Sequence, residues 1–392
     1  VHPTEQAYRR DTATWIAFAA LFAFGLLNAM LGPVLPYLRQ AEHISYVAGA
    51  LHQAAFAVGG MAAGILASRS AAPRRRTISV GLAGAAVAGL VLGYAEALPA
   101  TLVAALLISA FGTAALIRTW ALLADLHAGH RAVAMTEGEV VVSLAGVLTP
   151  LVVSSCAAAA VSWRFAFVIA GVAVVTSAVA VGLTPLPDPR PTPAPQRRPS
   201  SSPEPDRPAP RLPRSLGTIL AVVGLEFTLS FWAASYLHDD VGISRDTSVA
   251  LVSSLYAANL VGRLVASRLA RRLPADVVLR IFLATALAGL PWLLLADSAP
   301  VAGVGLAITG IGIGGTFPLA ASRYVTESRR SADQALGQIL TVAGVGQIVG
   351  PLAAGVLAQG IGLRLGLLVL PAFVLLATVT TGKSRRLGNV DP

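Results

Sequence analysis

The residues able to do chemistry in this sequence are polar and ionisable groups set inside long apolar runs. Glu226 is the clearest, halfway along one run between Val222-Val223-Gly224-Leu225 and Phe227-Thr228-Leu229. A carboxylate there is costly to desolvate, and a group that changes between a neutral and a charged form is what proton coupling needs. The structural alternative is a carboxylate locked to an arginine or a helix dipole. Glu137 and Glu139 offer the same chemistry near the end of another run, with Arg118 at a comparable depth. Being two apart, the glutamates point to different helix faces, so Arg118 is expected to meet one of them in a salt bridge or to act as a gate or anion contact. His52 has the titration range of a proton relay, with a hydrogen-bonded packing residue as its alternative. Asn28 is expected to hydrogen-bond across the molecule or to a solute, with a helix-helix packing contact as its alternative. Arg263 follows Asn259 by four residues and is read as structural, its head group reaching toward the membrane surface. Trp120, Phe231, Trp232 and Phe317, the last followed by Pro318, supply aromatic walls for a planar or greasy solute, or pack against neighbouring helices.

Enzyme chemistry is not expected. Gly310, Gly312, Gly314 and Gly315 resemble a nucleotide fingerprint only superficially, because no strand precedes them and no phosphate-cradling lysine follows. The single cysteine, Cys156, allows neither an intrachain disulfide nor a thiolate metal cluster. No cofactor and no metal are expected.

The elements that must position these groups follow from composition. Of 392 residues, 55% are hydrophobic and 12% charged, against about 25% charged in a soluble domain. Lipid is therefore the expected solvent. A hydrocarbon core of about 30 Å needs roughly 20 helical residues, and twelve stretches suit it: Thr14 to Leu38, Tyr46 to Ala67, Thr77 to Ala95, Pro99 to Ala124, Val133 to Ala159, Arg164 to Leu183, Ser215 to Leu237, Thr247 to Leu269, Ala275 to Leu295, Pro300 to Ala321, Gln334 to Ala358 and Leu363 to Thr381. They are too long for barrel strands and lack strict alternation.

The net charge of +10 does not indicate a nucleic-acid partner, since the arginines concentrate in short loops. Arg9, Arg10, Arg69, Arg74, Arg75, Arg76, Arg131, Arg268, Arg271 and Arg272 all fall on the side of the two termini. The opposite loops carry Arg39, Arg164, Arg245 and Arg364 beside Glu42, Glu96, Asp239, Asp240 and Asp297. That asymmetry puts both termini in the cytoplasm of a multi-pass protein of the bacterial inner membrane. Pro187 to Arg214, dense in proline, arginine and serine, is expected to be an extended or disordered cytoplasmic linker.

The two sides of the linker repeat one another at an offset of roughly 200 residues. Tyr37-Leu38, Ile44-Ser45, Val58-Gly59 and Gly112-Thr113 recur as Tyr236-Leu237, Ile243-Ser244, Val261-Gly262 and Gly315-Thr316; Pro150 matches Pro351 and Arg164 matches Arg364. Together with Leu31-Gly32-Pro33-Val34-Leu35-Pro36, Ser162-Trp163-Arg164-Phe165 and Gly346-Gln347-Ile348-Val349-Gly350-Pro351, this pattern resembles the major facilitator superfamily over nearly the whole chain. The resemblance implies a central cavity lined chiefly by helices 1, 4, 7 and 10 and opening alternately to either side. It also implies gating or structural roles for Arg69, in a loop where serine replaces the family's usual aspartate, and for Pro150, Gly350 and Pro351.

The expected protein is thus all-α and integral to the membrane, with residues 1–186 and 215–392 forming two pseudo-symmetric six-helix bundles joined by 187–214. The expected activity is secondary transport by a monomer, its partners being protons, lipid and a small solute. Export of an amphipathic drug-like compound or metabolite is the first reading. Uptake of a sugar, nucleoside or organic acid is the second, and a receptor or scaffold that moves nothing is the third.

Overall fold

The computed structural model describes residues 8–67, 72–187, 214–328 and 332–382. Arg69 and the interior of the expected linker lie outside the described residues. Among the described residues, twelve helices are long and apolar enough to cross a membrane: α1 (Thr12–Glu42), α2 (Tyr46–Ala67), α3 (Arg74–Tyr94), α4 (Leu98–Leu126), α5 (Val133–Ala158), α6 (Phe165–Leu183), α7 (Arg214–Asp239), α8 (Arg245–Leu269), α9 (Ala275–Leu294), α10 (Ala299–Glu327), α11 (Gly337–Ile361) and α12 (Leu363–Thr380). A helix satisfies its own main-chain groups, which lipid cannot do.

Three spans are broken ahead of a proline, the third being α12, which stops at Gly366 and resumes at Val369 before Pro371. Proline has no N–H, and its ring collides with the carbonyl four residues earlier. In α1 the helix ends at Asn28 and resumes at Leu31, with Pro33 placed against the carbonyl of Ala29. In α10 it ends at Gly314 and resumes at Thr316, with Pro318 placed against that of Gly314. The first helix is consequently longer than the apolar run suggests, since its second segment carries on to Glu42.

Burial separates central from peripheral helices. The apolar window of α1 is 83% buried and that of α7 is 72%, whereas α2, α4, α5, α8 and α12 each stand at 39%. The pair α1 and α7 therefore sits at the centre. The two halves meet where α2 packs on α11, where α5 packs on α8, and where the second segment of α1 crosses α7. Close approach at these and at intra-bundle crossings depends on glycine. A Cβ on Gly59 would lie 2.1 Å from the carbonyl oxygen of Leu106 in α4, and one on Gly262 would lie 2.3 Å from that of Ile311 in α10. The repeated Val-Gly pair thus does the same job in each half.

The face carrying the start of α1 is termed the terminal face, and the other the loop face. Asp11 caps α1 at the terminal face, its carboxylate accepting from the N–H of Thr14 at 2.8 Å and its hydroxyl at 2.6 Å. Burial pushes the Asp11 carboxyl up, but the Thr14 hydroxyl and N–H outweigh it and leave the pKa below the usual value. A depressed carboxylate pKa adds stability that is present above the unfolded pKa and lost as pH falls through the folded one. Asp11→Ala should therefore remove about 1 kcal/mol at neutral pH. Thermal unfolding of the two proteins should converge below about pH 3.

Candidate functional site

Glu226 lies on α7 and faces α8. Its Oε1 accepts from the Nδ2 group of Asn259 at 3.1 Å and stands 3.6 Å from a guanidinium nitrogen of Arg263. Asn259 and Arg263 are one helical turn apart on α8, so both reach the same carboxylate. The Glu226 side chain keeps 20% exposure, so it is not sealed. Arg263 makes its closer contact elsewhere, donating to Oε2 of Glu139 on α5 at 2.9 Å. One arginine thus serves two carboxylates, from opposite halves of the molecule. Tyr256 lies one turn before Asn259, with its ring over Gly146 of α5, where a Cβ would approach within 3.1 Å.

The remaining expected site residues divide sharply. Asn28 ends the first segment of α1 and is exposed. Along the same stripe of α1, Phe24 covers Gly112 of α4, Leu21 approaches Gly138 of α5, and Gly25 packs on Ala145 of α5. Residue 28 continues that stripe by one further turn. Trp120 and Phe317 are half-buried, Trp120 lying over Gly138.

Phe231 and Trp232 do not line a cavity. Both are fully buried, packed edge to face at 5.0 Å, and the Trp232 indole N–H donates to the carbonyl of Pro351 at 2.9 Å. They hold α7 to α11, and the proline supplies an acceptor at that level. Arg118 does not meet either glutamate. It donates to the carbonyl of Ala67 at 3.4 Å, while Glu137 is held at the terminal face by Tyr8 at 2.7 Å and by Arg10 at 2.9 Å. The reason is rotation about α5. Glu137 faces the start of α1 and Glu139 faces α8, so each is claimed before Arg118 can reach it.

His52 is not brought to Glu226. It is fully buried seven residues into α2, with Nε2 3.0 Å from the Thr101 hydroxyl on α4 and Nδ1 3.2 Å from the Ala48 carbonyl. The Thr101 hydroxyl lies 3.3 Å from Glu42. This is a tie between helices near the loop face. His52→Leu should lower unfolding stability by about 0.5–1.5 kcal/mol, the net worth of one hydrogen bond, because the Thr101 hydroxyl keeps Glu42 and the Leu98 carbonyl as partners, and should leave the pH dependence of any activity in place. Thermal unfolding and a pH profile of the variant check both parts. Pro150, Gly350 and Pro351 all serve helix packing: a Cβ on Gly350 would lie 2.3 Å from the Thr228 hydroxyl of α7, and Thr149, just before Pro150, donates to the Leu26 carbonyl at 3.2 Å.

Polar ties between the halves gather at the loop face. Arg39 donates to Asp239 at 2.7 Å, the Tyr46 hydroxyl to the same carboxylate at 3.0 Å, and the Tyr37 hydroxyl to Asp246 at 2.5 Å. Arg245 donates to Gln40. Among the described residues, the tie between halves that lies toward the terminal face is Arg263 to Glu139. The sequence marks Arg263 as structural but does not show that two carboxylates share it, and it does not single out Gln53, a buried amide on α2. The only available signal for Arg263 was its four-residue spacing from Asn259.

The sequence profile described as Major Facilitator Superfamily matches residues 17–332. An uncharacterized transporter, y4wD, of Sinorhizobium fredii (strain NBRC 101917 / NGR234) is 30% identical over 165 residues, covering 42% of this chain and 44% of that protein. The match therefore spans less than half of that relative's length. Among solved structures, a bacterial homolog of the human lysosomal transporter Spinster, in an inward-facing and occupied conformation, superposes with a TM-score of 0.78 at 16% identity, covering 96% of this chain and 97% of that one. A D-xylose-proton symporter gives 0.72 at 11% identity, covering 94% and 95%. A nucleoside transporter gives 0.71 at 13% identity, covering 95% and 98%.

Proposed function

This chain belongs to the major facilitator superfamily, a family of transporters rather than enzymes, and we propose that it couples solute movement to protons through Glu226. The observation that carries this reading is the looseness of the Glu226 ion contact, 3.6 Å, beside the tighter 2.9 Å contact that the same arginine makes with Glu139. A carboxylate that shares its cation can accept a proton without stranding that cation. When Glu226 is protonated, Arg263 is left to Glu139 and binds α5 to α8 across the two halves. When Glu226 is charged, it draws Arg263 back and weakens that tie. Proton occupancy thereby biases the inter-half contact, which is what a coupled transporter requires of its proton site.

The arginine-rich terminal face is assigned to the cytoplasm of a bacterial inner membrane, and the ties at the loop face then close the molecule to the outside. The solute is read as amphipathic, with Trp120 and Phe317 beside its apolar part and Asn28 beside its polar part, and the direction as export in exchange for protons. Import of a hydroxyl-rich nutrient is favoured by one specific observation, the burial of Phe231 and Trp232, which removes two aromatic walls. Oriented vesicles containing the purified monomer distinguish the two. Exchange requires that added solute and protons move in opposite directions, as read with a pH-sensitive dye. Movement in the same direction would establish import, and proton flux indifferent to Glu226→Gln would defeat the coupling assignment.

A further inference from the structure

Gln53 has 5% exposure, and its Nε2 makes no hydrogen bond. A buried amide donor without a partner in its own chain calls for one from outside it. The neighbours of Gln53 show where it points. Gly49, one turn earlier on α2, lies against Leu35 of α1, and Ala50 lies against Gly355 of α11. Residue 53 follows these by four and three positions, so it projects between α1 and α11 toward the interior.

A second amide reaches the same interior from α11. Gly346 packs on the Leu220 carbonyl of α7, and Gly344 packs on Met61 of α2. Gln347 stands between those two faces, half-buried and without a side-chain hydrogen bond among the described residues. Its main-chain carbonyl is also released, because Pro351 has no N–H to give it. Gln347 lies at the level of Glu226 and Gln53 nearer the loop face.

We propose that Gln53 and Gln347 form a binding subsite for the uncharged, oxygen-bearing end of the solute, a hydroxyl or carbonyl group. The amides offer donors and acceptors and no charge, so an ionic group there would lose its water without gaining a counter-ion. The subsite rests on the transport reading but not on proton coupling, and equilibrium binding tests it without any proton gradient.

The probes are chloramphenicol and uridine, which are neutral and rich in such oxygens, and tetraphenylphosphonium, a cation with no hydrogen-bonding atom. Binding is measured by tryptophan fluorescence or calorimetry on the purified full chain. Chloramphenicol or uridine should bind the wild-type chain, and both Gln53→Leu and Gln347→Leu should weaken that binding about tenfold, one hydrogen bond's worth. Gln53→Met, which keeps the length of the side chain, provides the same test if the leucine variant does not fold. Wild-type protein that binds only tetraphenylphosphonium, or none of the three, would overturn the subsite, as would amide variants whose affinity stays within about twofold of wild type. Failure of proton coupling would appear separately, as Glu226→Gln protein with unchanged solute-driven proton flux.

Discussion

Glu226→Gln should abolish uphill, gradient-driven transport while leaving solute exchange at equal concentrations running. Glutamine keeps the size of the side chain and can still engage Asn259, which donates to this position at 3.1 Å. What it lacks is a proton to release and a charge to share with Arg263. Arg263 then remains with Glu139, at 2.9 Å on α5, whatever the pH. Counterflow in proteoliposomes should persist, and accumulation against a gradient should fall to background at every pH. Accumulation that survives would remove Glu226 from the coupling reaction. Glu139→Gln separates the two carboxylates, because Glu226 can still take up a proton but the ion pair it biases between α5 and α8 is gone, so proton uptake should persist while its coupling to solute movement weakens.

Gly32→Val should hold the molecule away from the state in which the loop face is closed. A Cβ at residue 32 would stand 2.3 Å from the Ser230 carbonyl oxygen, and the obstruction is main chain that cannot rotate aside. The contact joins the second segment of α1 to α7 and exists only while the halves are drawn together there. A collision of this kind costs about 3 kcal/mol in the closed state, enough to shift a two-state balance by about 100-fold. The variant should fold, since each bundle is untouched, but should turn over slowly. An Asn28→Cys probe should react much faster from the loop side in Gly32→Val protein than in its Gly32 parent. Equal labelling rates would show that this crossing does not govern opening. The native Cys156 is buried, so it adds little background.

The polar ties around that crossing suggest a milder companion effect. Arg39→Ala removes the donor to Asp239, yet leaves Tyr46 on the same carboxylate. Partly exposed ion pairs contribute about 0.2–1 kcal/mol. Its effect on labelling should therefore be a few-fold and should shrink as salt is raised.

Much of the architecture is legible in the amino-acid order because the bilayer admits few solutions. Uninterrupted apolar length demands helices, arginine placement distinguishes the two faces, and glycines such as Gly59 and Gly262, repeated in register, mark where helices must touch. Proline alone does not announce the breaks, since Pro33 and Pro318 follow one whereas Pro150, Pro291 and Pro351 lie within unbroken helices. Even the choice of Glu226 needed only its apolar surroundings, since desolvation makes a mid-span carboxylate conspicuous. Partnership between helices is a different matter. Which face of α5 carries Glu139 toward α8, which arginine arrives there, and whether Trp232 meets solute or the Pro351 carbonyl all depend on helix rotation and depth. Those are set by the packing of many small side chains summed over two bundles, and no local pattern encodes them. The chain order therefore determined the helices and the groups worth watching. Only the tertiary structure decided that one arginine would be divided between carboxylates on opposite halves, because that contact joins residues 124 positions apart.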